Sequence, residues 1–228
     1  SLAEKNEELQ AYSERLEERV KQRTAELASL NSIYERFVPR EFIDLLQKNS
    51  ILEINLGDQV SRKMTVMFAD IRGWTTLLEK MTPQEAFSFI NAYLRRVGPV
   101  IKDCKGFIDQ YYGDGVMALF PGTPDDAVKA AVRMQEAVAE YNREREEAGF
   151  GPIGIGIGLH RAERMLGVIG SEDRMQGAVV ADAVNLAARI EGLNKMYGSY
   201  VSLSDETLSG LTESNHYRHR FMDKVRVK

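Results

Sequence analysis

The sequence predicts an α+β fold of the ferredoxin-like kind, an antiparallel or mixed sheet with helices, preceded by a long coiled-coil helix. Three observations predict it. From Ser61 onward, apolar runs of strand length alternate with helical stretches in the order βαββαββαββ. Near the middle, Gly106-Phe107-Ile108-Asp109-Gln110-Tyr111-Tyr112 and Val116-Met117-Ala118-Leu119-Phe120 flank Gly113-Asp114-Gly115, which reads as a β-hairpin with a carboxylate at its tip. Ahead of this region, residues 1–37 contain no Gly or Pro and carry a leucine-rich heptad.

The heptad places Leu2, Leu9, Leu16, Arg23, Leu30 and Phe37 at one core position and Asn6, Ser13, Val20, Leu27 and Tyr34 at the other; eight of the eleven are apolar, so a parallel coiled-coil dimer is expected over 1–37. A single solvated helix is the alternative. Pro39 closes the coil, and a short amphipathic helix over 40–47 and an extended stretch over 49–62 make 38–60 a connector between coil and domain. A first strand is expected over 64–70. Thr82-Pro83-Gln84-Glu85 is a capping box with proline at the first helical position, and Thr123-Pro124-Asp125-Asp126 repeats the device with Asp for Glu. The first of these helices is expected to bury Ala86, Phe87, Ile90, Tyr93, Leu94, Val97 and Ile101, the second Ala127, Ala130, Ala131, Met134, Val138 and Tyr141, both on one face of the sheet.

Ile153-Gly154-Ile155-Gly156-Ile157-Gly158-Leu159-His160 alternates with period two, which predicts a strand whose glycine face lets something pack close; with no helix after it, it is a poor phosphate loop. His160 reads as a strand-end histidine. Residues 165–170 form a further strand, 171–176 a polar connection, and Ala181 to Leu193 a helix with Asn185 and Arg189 on one face. That face could be merely solvated. Residues 200–203 and 217–228 supply the last strands.

Composition narrows the function. A hydrophobic content of 43% supports a real core, and a net charge of −4 argues against a nucleic-acid partner. The one cysteine, Cys104, rules out an internal disulfide or a cysteine-built zinc site, which fits a reducing, cytoplasmic compartment. No run of about 20 apolar residues is present, so this chain is not expected to span a membrane itself. It opens inside helical sequence and ends on Val225-Arg226-Val227-Lys228, which suggests a fragment truncated at its C-terminal hairpin.

Two carboxylates stand out. The run Met64 to Ala69 ends in Asp70, and the helix from Pro83 is a crossover that makes strand 64–70 parallel to strand 107–112. If the strand at 116–120 returns between them, Asp70 and Asp114 lie on neighbouring strands about 4.8 Å apart. Two divalent cations about 3.5–4 Å apart, clamping a phosphoryl displacement, would relieve the repulsion. The plainer alternative is a helix cap and a turn residue.

Phe68-Ala69-Asp70-Ile71-Arg72-Gly73-Trp74-Thr75, Tyr112-Gly113-Asp114-Gly115-Val116 and Val184-Asn185-Leu186-Ala187-Ala188-Arg189-Ile190-Glu191, in this order, resemble the catalytic domain of the class III adenylate and guanylate cyclases over 61–228. The coil and connector resemble the helical transducer ahead of such domains in bacterial receptors, often with a sensor or membrane module upstream. The resemblance implies that Asp70, Asp114 and the Ile71 carbonyl hold two Mg²⁺ or Mn²⁺ ions per site. It implies that amides of Gly73, Trp74 and Thr75 cradle the triphosphate, while Asn185 orients the ribose and Arg189 meets charge at the α-phosphate. In the family these last two come from the other subunit, so a head-to-tail homodimer has two complete sites and a monomer has none.

The purine pair departs from the family pattern. Adenylate cyclases usually have Lys where this chain has Gln110, and Asp or Thr where it has Ala178; guanylate cyclases usually have Glu and Cys. ATP is the expected substrate, GTP the alternative. A diguanylate cyclase would need Gly-Gly-Asp/Glu-Glu-Phe at the hairpin, which is missing. A catalytically weak nucleotide-sensing dimerisation module is the other rival.

Overall fold

The computed structural model describes residues 2–34, 37–171, 173–180, 182–213 and 216–225. Helix α1 (Leu2–Tyr34) and the short α2 (Arg40–Leu45) lead through a 3₁₀ turn at Ile51–Glu53 into the sheet. The extended connector expected over 49–62 is therefore a turn followed by the start of a strand. It coils because Ser50 Oγ accepts the Leu52 N–H and Asp58 accepts the Asn55 N–H, which holds the backbone in tight local bonds.

Strands β1 (Gln59–Ile71), β2 (Phe107–Tyr112), β3 (Gly115–Phe120), β4 (Ile155–Ser171), β5 (Arg174–Val180) and β6 (Val201–Leu203) form one mixed sheet. The order is β2-β3-β1-β4-β5, with β6 parallel to β4. β3 returns between β2 and β1, antiparallel to both, so β1 and β2 are parallel as the crossover requires. The two apolar runs expected at 153–160 and 165–170 are one strand. Its polar middle, Arg161 to Glu163, stays extended because β1 pairs with it residue by residue, from Gln59 opposite Gly167 to Ile71 opposite Ile155. The polar 171–176 connection is likewise mostly strand, since β5 pairs antiparallel with the far half of β4.

Side chains of β1 alternate between two cores. Met67, Ala69 and Ile71 face α4 (Pro83–Asp103) and α5 (Pro124–Glu147), while Met64 and Val66 face a second core closed by Phe42 and Leu46 from the α2 segment and by Ala187 of α6 (Asp182–Tyr197). The α5 stripe is buried as its spacing predicts. On α4, Phe87 is 71% exposed and Phe89 is buried instead. Phe87 stands about 100° round the helix from Ala86, at the rim of the buried stripe rather than on it. The Thr82–Glu85 capping box forms in both directions. At α5 the proline is present, but Thr123 makes no side-chain cap bond and Asp125 instead accepts from the Thr212 and Glu213 amides.

The two residues Arg72 and Gly73 turn the chain from β1 into α3 (Trp74–Leu78), and α7 (Asp205–Ser209) follows β6. No strand forms over 217–225, and 226–228 lie outside the described residues, as does Ala181 at the expected start of α6. Among the described residues no helix is long and apolar enough to cross a membrane.

Candidate active site

The hairpin delivers Asp114 to the carboxyl end of β1. Ala69 pairs with Val116, which sets the β2–β3 turn beside Asp70. Gly113 turns the chain at φ +65°, a conformation that glycine adopts without strain. Gly115 fits the turn closely, because a Cβ there would stand 3.2 Å from the Tyr112 carbonyl oxygen. One amide holds both carboxylates: Ile71 N–H donates to Asp70 Oδ1 at 3.1 Å and to Asp114 Oδ2 at 3.2 Å.

Asp114 is buried. Burial, a hydrogen bond to Asp70 and the Asp70 charge push its pKa up from 3.8 to about 7. A carboxylate pair in this state could take a cation as counter-charge. Its donors are all oxygen, the chemistry of Mg²⁺ and Mn²⁺ rather than of softer metals. Two side-chain ligands are too few to enclose a metal, and among the described residues no cluster of three or more His, Cys, Asp or Glu exists. The remaining positions fall to carbonyls, water or a bound phosphate.

Gly73 follows at φ +67° as the N-cap of α3. The opening amides of a helix have no intrahelical acceptor, so those of Gly73, Trp74 and Thr75 are free to meet an anion beside the carboxylates. Trp74 is fixed by stacking on Phe89 at 5.8 Å. Gln110 lies on β2, where its amide oxygen accepts from Tyr112 O–H at 2.6 Å and Tyr112 stacks on Phe68 at 5.8 Å. With that oxygen engaged, Gln110 has its N–H₂ group left to offer.

The other expected residues are not brought to this point. Ala178 sits on β5, opposite Gly167, at the far end of the strand order from β2. Asn185 and Arg189 are exposed. They stand about 160° round α6 from Ala187, whose face is buried. That buried face (Ala187, Ile190, Glu191, Asn194) lies on the glycine side of β4, where a Cβ at Gly158 would collide with Glu191 N and Ala187 O. The helix therefore turns Asn185 and Arg189 away from the sheet that carries Asp70 and Asp114. Within one chain the expected site residues thus fall into two groups that face different ways.

The residues and spacing match known proteins. A family model, the adenylate and guanylate cyclase catalytic domain, matches residues 57–228. An adenylate cyclase of Anabaena cylindrica is 41% identical over 201 residues, 86% of this chain. The chain belongs to the adenylate and guanylate cyclase catalytic domain family. It spans 40% of the length of the Anabaena protein. The crystal structure of the guanylyl cyclase Cya2 matches at 33% identity with a TM-score of 0.58, covering 66% of this chain and 79% of that one. A bacterial light-regulated adenylyl cyclase shares the fold at a TM-score of 0.74 and 23% identity, covering 86% of this chain and 58% of that one.

Several polar groups near the site escaped the sequence reading. Tyr93, expected only as core, buries a hydroxyl that lacks a partner among the described residues. Burial, then the Asp70 and Asp114 charges, raise its pKa. Asp109 occupies a bulge between Ile108 and Gln110, with a buried Oδ2 that lacks a partner among the described residues and a pKa pushed up to about 6 by burial. No sequence signal marks a bulge of this kind. His160 lies inside β4, buried, with Nδ1 2.8 Å from Ser204 Oγ, which gives it a structural role in the sheet.

Proposed function

We propose that this chain is the catalytic part of a nucleotidyl cyclase that converts ATP to 3′,5′-cyclic AMP and pyrophosphate in a head-to-tail homodimer with shared sites. The observation that carries the reading is the division just described: paired carboxylates at one end of the sheet, with Asn185 and Arg189 turned away on the outer face of α6. Asp70, Asp114 and the Ile71 carbonyl are the groups to hold two Mg²⁺ or Mn²⁺ ions, which when bound neutralise phosphate charge and acidify the ribose 3′-hydroxyl. Amides of Gly73, Trp74 and Thr75 bind the β- and γ-phosphates. Asn185 of the second copy orients the ribose so that O3′ stands in line with the α-phosphorus and the pyrophosphate leaving group. Arg189 of the second copy stabilises the charge that develops at the α-phosphate as O3′ attacks.

Residues 61–228 are the catalytic domain in this reading, 1–37 the parallel coil and 38–60 its transducer, in a cytoplasmic protein or the cytoplasmic part of a receptor with a sensor upstream. The coil is supported by its unburied seam: Leu2, Leu9, Leu16, Val20, Leu27 and Leu30 are 48–86% exposed in the single chain, and a second helix covers such a stripe. Deleting 1–37 should raise the protein concentration for half-maximal activity by about tenfold or more, because the coil supplies effective concentration. Unchanged concentration dependence would remove the coil from the dimer contact.

ATP is supported by the Anabaena relative and by Gln110, whose free N–H₂ suits the N1 acceptor of adenine. Ala178 reads nothing, so guanine, with N1 and N2 donors to satisfy, loses more in such a pocket; each unpaired buried donor costs about 1–3 kcal/mol. The expected preference for ATP over GTP is roughly tenfold, about 1.4 kcal/mol. Product identification with each nucleotide supplied separately, in Mg²⁺ and in Mn²⁺, tests this. A larger kcat/KM for GTP would make the chain a guanylate cyclase, as the likeness to Cya2 allows. Gln110→Lys with Ala178→Asp should widen the ATP preference.

A further inference from the structure

The glycine face of β4 seats two side chains that the site has not used. Arg72 directly follows the Ile71 carbonyl, and its chain lies over the strand: a Cβ at Gly154 would stand 3.6 Å from Arg72 Cγ, and one at Gly156 3.1 Å from Nε and 3.2 Å from Nη2. Nη2 donates to the Ser199 carbonyl at 2.6 Å. Glu191, on the buried face of α6, reaches the same point, since a Cβ at Gly156 would overlap its Oε1. Arg72 Nε and Glu191 Oε1 are both buried, and neither has a hydrogen-bond partner among the described residues. A cationic donor and an anionic acceptor, each with one buried atom left without a partner among the described residues, thus converge over one glycine. A side chain larger than hydrogen at Gly156 would push them apart.

We propose that Arg72 and Glu191 are a positioning couple that ties the Asp70–Gly73 loop to α6 and thereby links the two active sites of the homodimer. The link between sites rests on the shared-site reading above. In that dimer the loop of a chain serves one site while Asn185 and Arg189 of the same chain serve the other. A contact that joins loop to helix within one chain therefore runs from site to site. Charge gives the direction. Asp70 acts on Glu191 as a like charge, while Arg72 and Lys195 attract it. A cation held at Asp70 cancels the repulsion and leaves Arg72 to grip Glu191, so metal at one site firms the helix that completes the other.

The first test is amide hydrogen exchange across residues 187–195 of the full chain, without nucleotide, with and without Mn²⁺. Mn²⁺ is expected to slow exchange about fivefold or more in the wild type and to have almost no effect in Glu191→Gln or in Arg72→Lys. An equal response in the wild type and both variants overturns the couple. The second test uses heterodimers of Asp70→Ala and Arg189→Ala subunits, in which one site works, with its metal loop from the Arg189→Ala subunit. Glu191→Gln added to that subunit touches no α6 residue of the working site. It should nonetheless raise the Mn²⁺ concentration for half-maximal rate by about tenfold, the size expected when a residue supporting a metal ligand is lost. An unchanged Mn²⁺ dependence overturns the link. If the unsubstituted pair recovers no activity despite subunit exchange, the shared site and the link between sites both fall, and the exchange result alone decides whether the loop is tied to the helix.

Discussion

Asp70→Ala and Asp114→Ala should each lower turnover by about a thousandfold or more while the chain stays folded. In the proposed mechanism each removes a carboxylate from a pair whose bound cations would contribute several kcal/mol to the transition state, and each 1.36 kcal/mol is tenfold in rate. Folding should survive, because either change relieves a buried like-charge contact and leaves the Ile71 amide its hydrogen bond to the other carboxylate. Asp114 makes the sign measurable. Its carboxyl rises from 3.8 to about 7 on folding, so between those values the unfolded chain binds fewer protons than the folded one. Metal-free stability should therefore fall as pH rises from about 4 to 7, and Asp114→Asn should flatten that slope. Melting temperature against pH in the presence of a chelator, with turnover measured in parallel, checks both. An alanine variant within tenfold of the wild type would end the two-carboxylate reading.

The second large effect comes from mixing two dead proteins. Asp70→Ala and Arg189→Ala homodimers should be inactive alone, because every site in each lacks one group. After free exchange, half the dimers are mixed and each has one intact site, so about a quarter of the wild-type rate should return under two-fold symmetry. The geometry behind this is the exposed face of α6 that carries Arg189, about 160° round the helix from the Ala187 face packed on its own sheet. Rate measured against mixing ratio, with exchange followed independently, provides the check. An inactive mixture with proven heterodimers would mean that each chain builds its site alone.

The β2-β3-β1 part of the strand order was legible because its cues are local or topological: the Gly113-Asp114-Gly115 turn, the capping box at Thr82, and a crossover long enough to make β1 and β2 parallel. The three motifs were legible as a set, which carried the family. The length of β4 was not legible. Arg161, Ala162 and Glu163 read as a break, and only pairing with Met64, Lys63 and Thr65 of β1 keeps them extended. The polar β5 was hidden for the same reason, since Arg174 to Gln176 become strand through partners more than local propensity. Within the site, Asp70 and Asp114 could be paired from topology. The Arg72–Glu191 convergence could not, because it joins a loop and a helix more than a hundred residues apart through the bare backbone of Gly156. The alternation of Ile and Gly in β4 signalled that something would pack close, without saying what.

At Gly158 the spacing between α6 and the sheet is set by main-chain atoms, with Glu191 N and Ala187 O occupying the space of an absent side chain. Side chains adjust by changing rotamer, and a separation built from them wanders as they do. Backbone seated on backbone has no such freedom. The reach of Asn185 and Arg189 beyond the helix is thus referenced to a fixed datum inside each copy, and errors do not accumulate through layers of flexible groups. Groups that must act together need placement within about 0.5 Å. Two separately folded chains can meet that tolerance only if each already holds it before they come together.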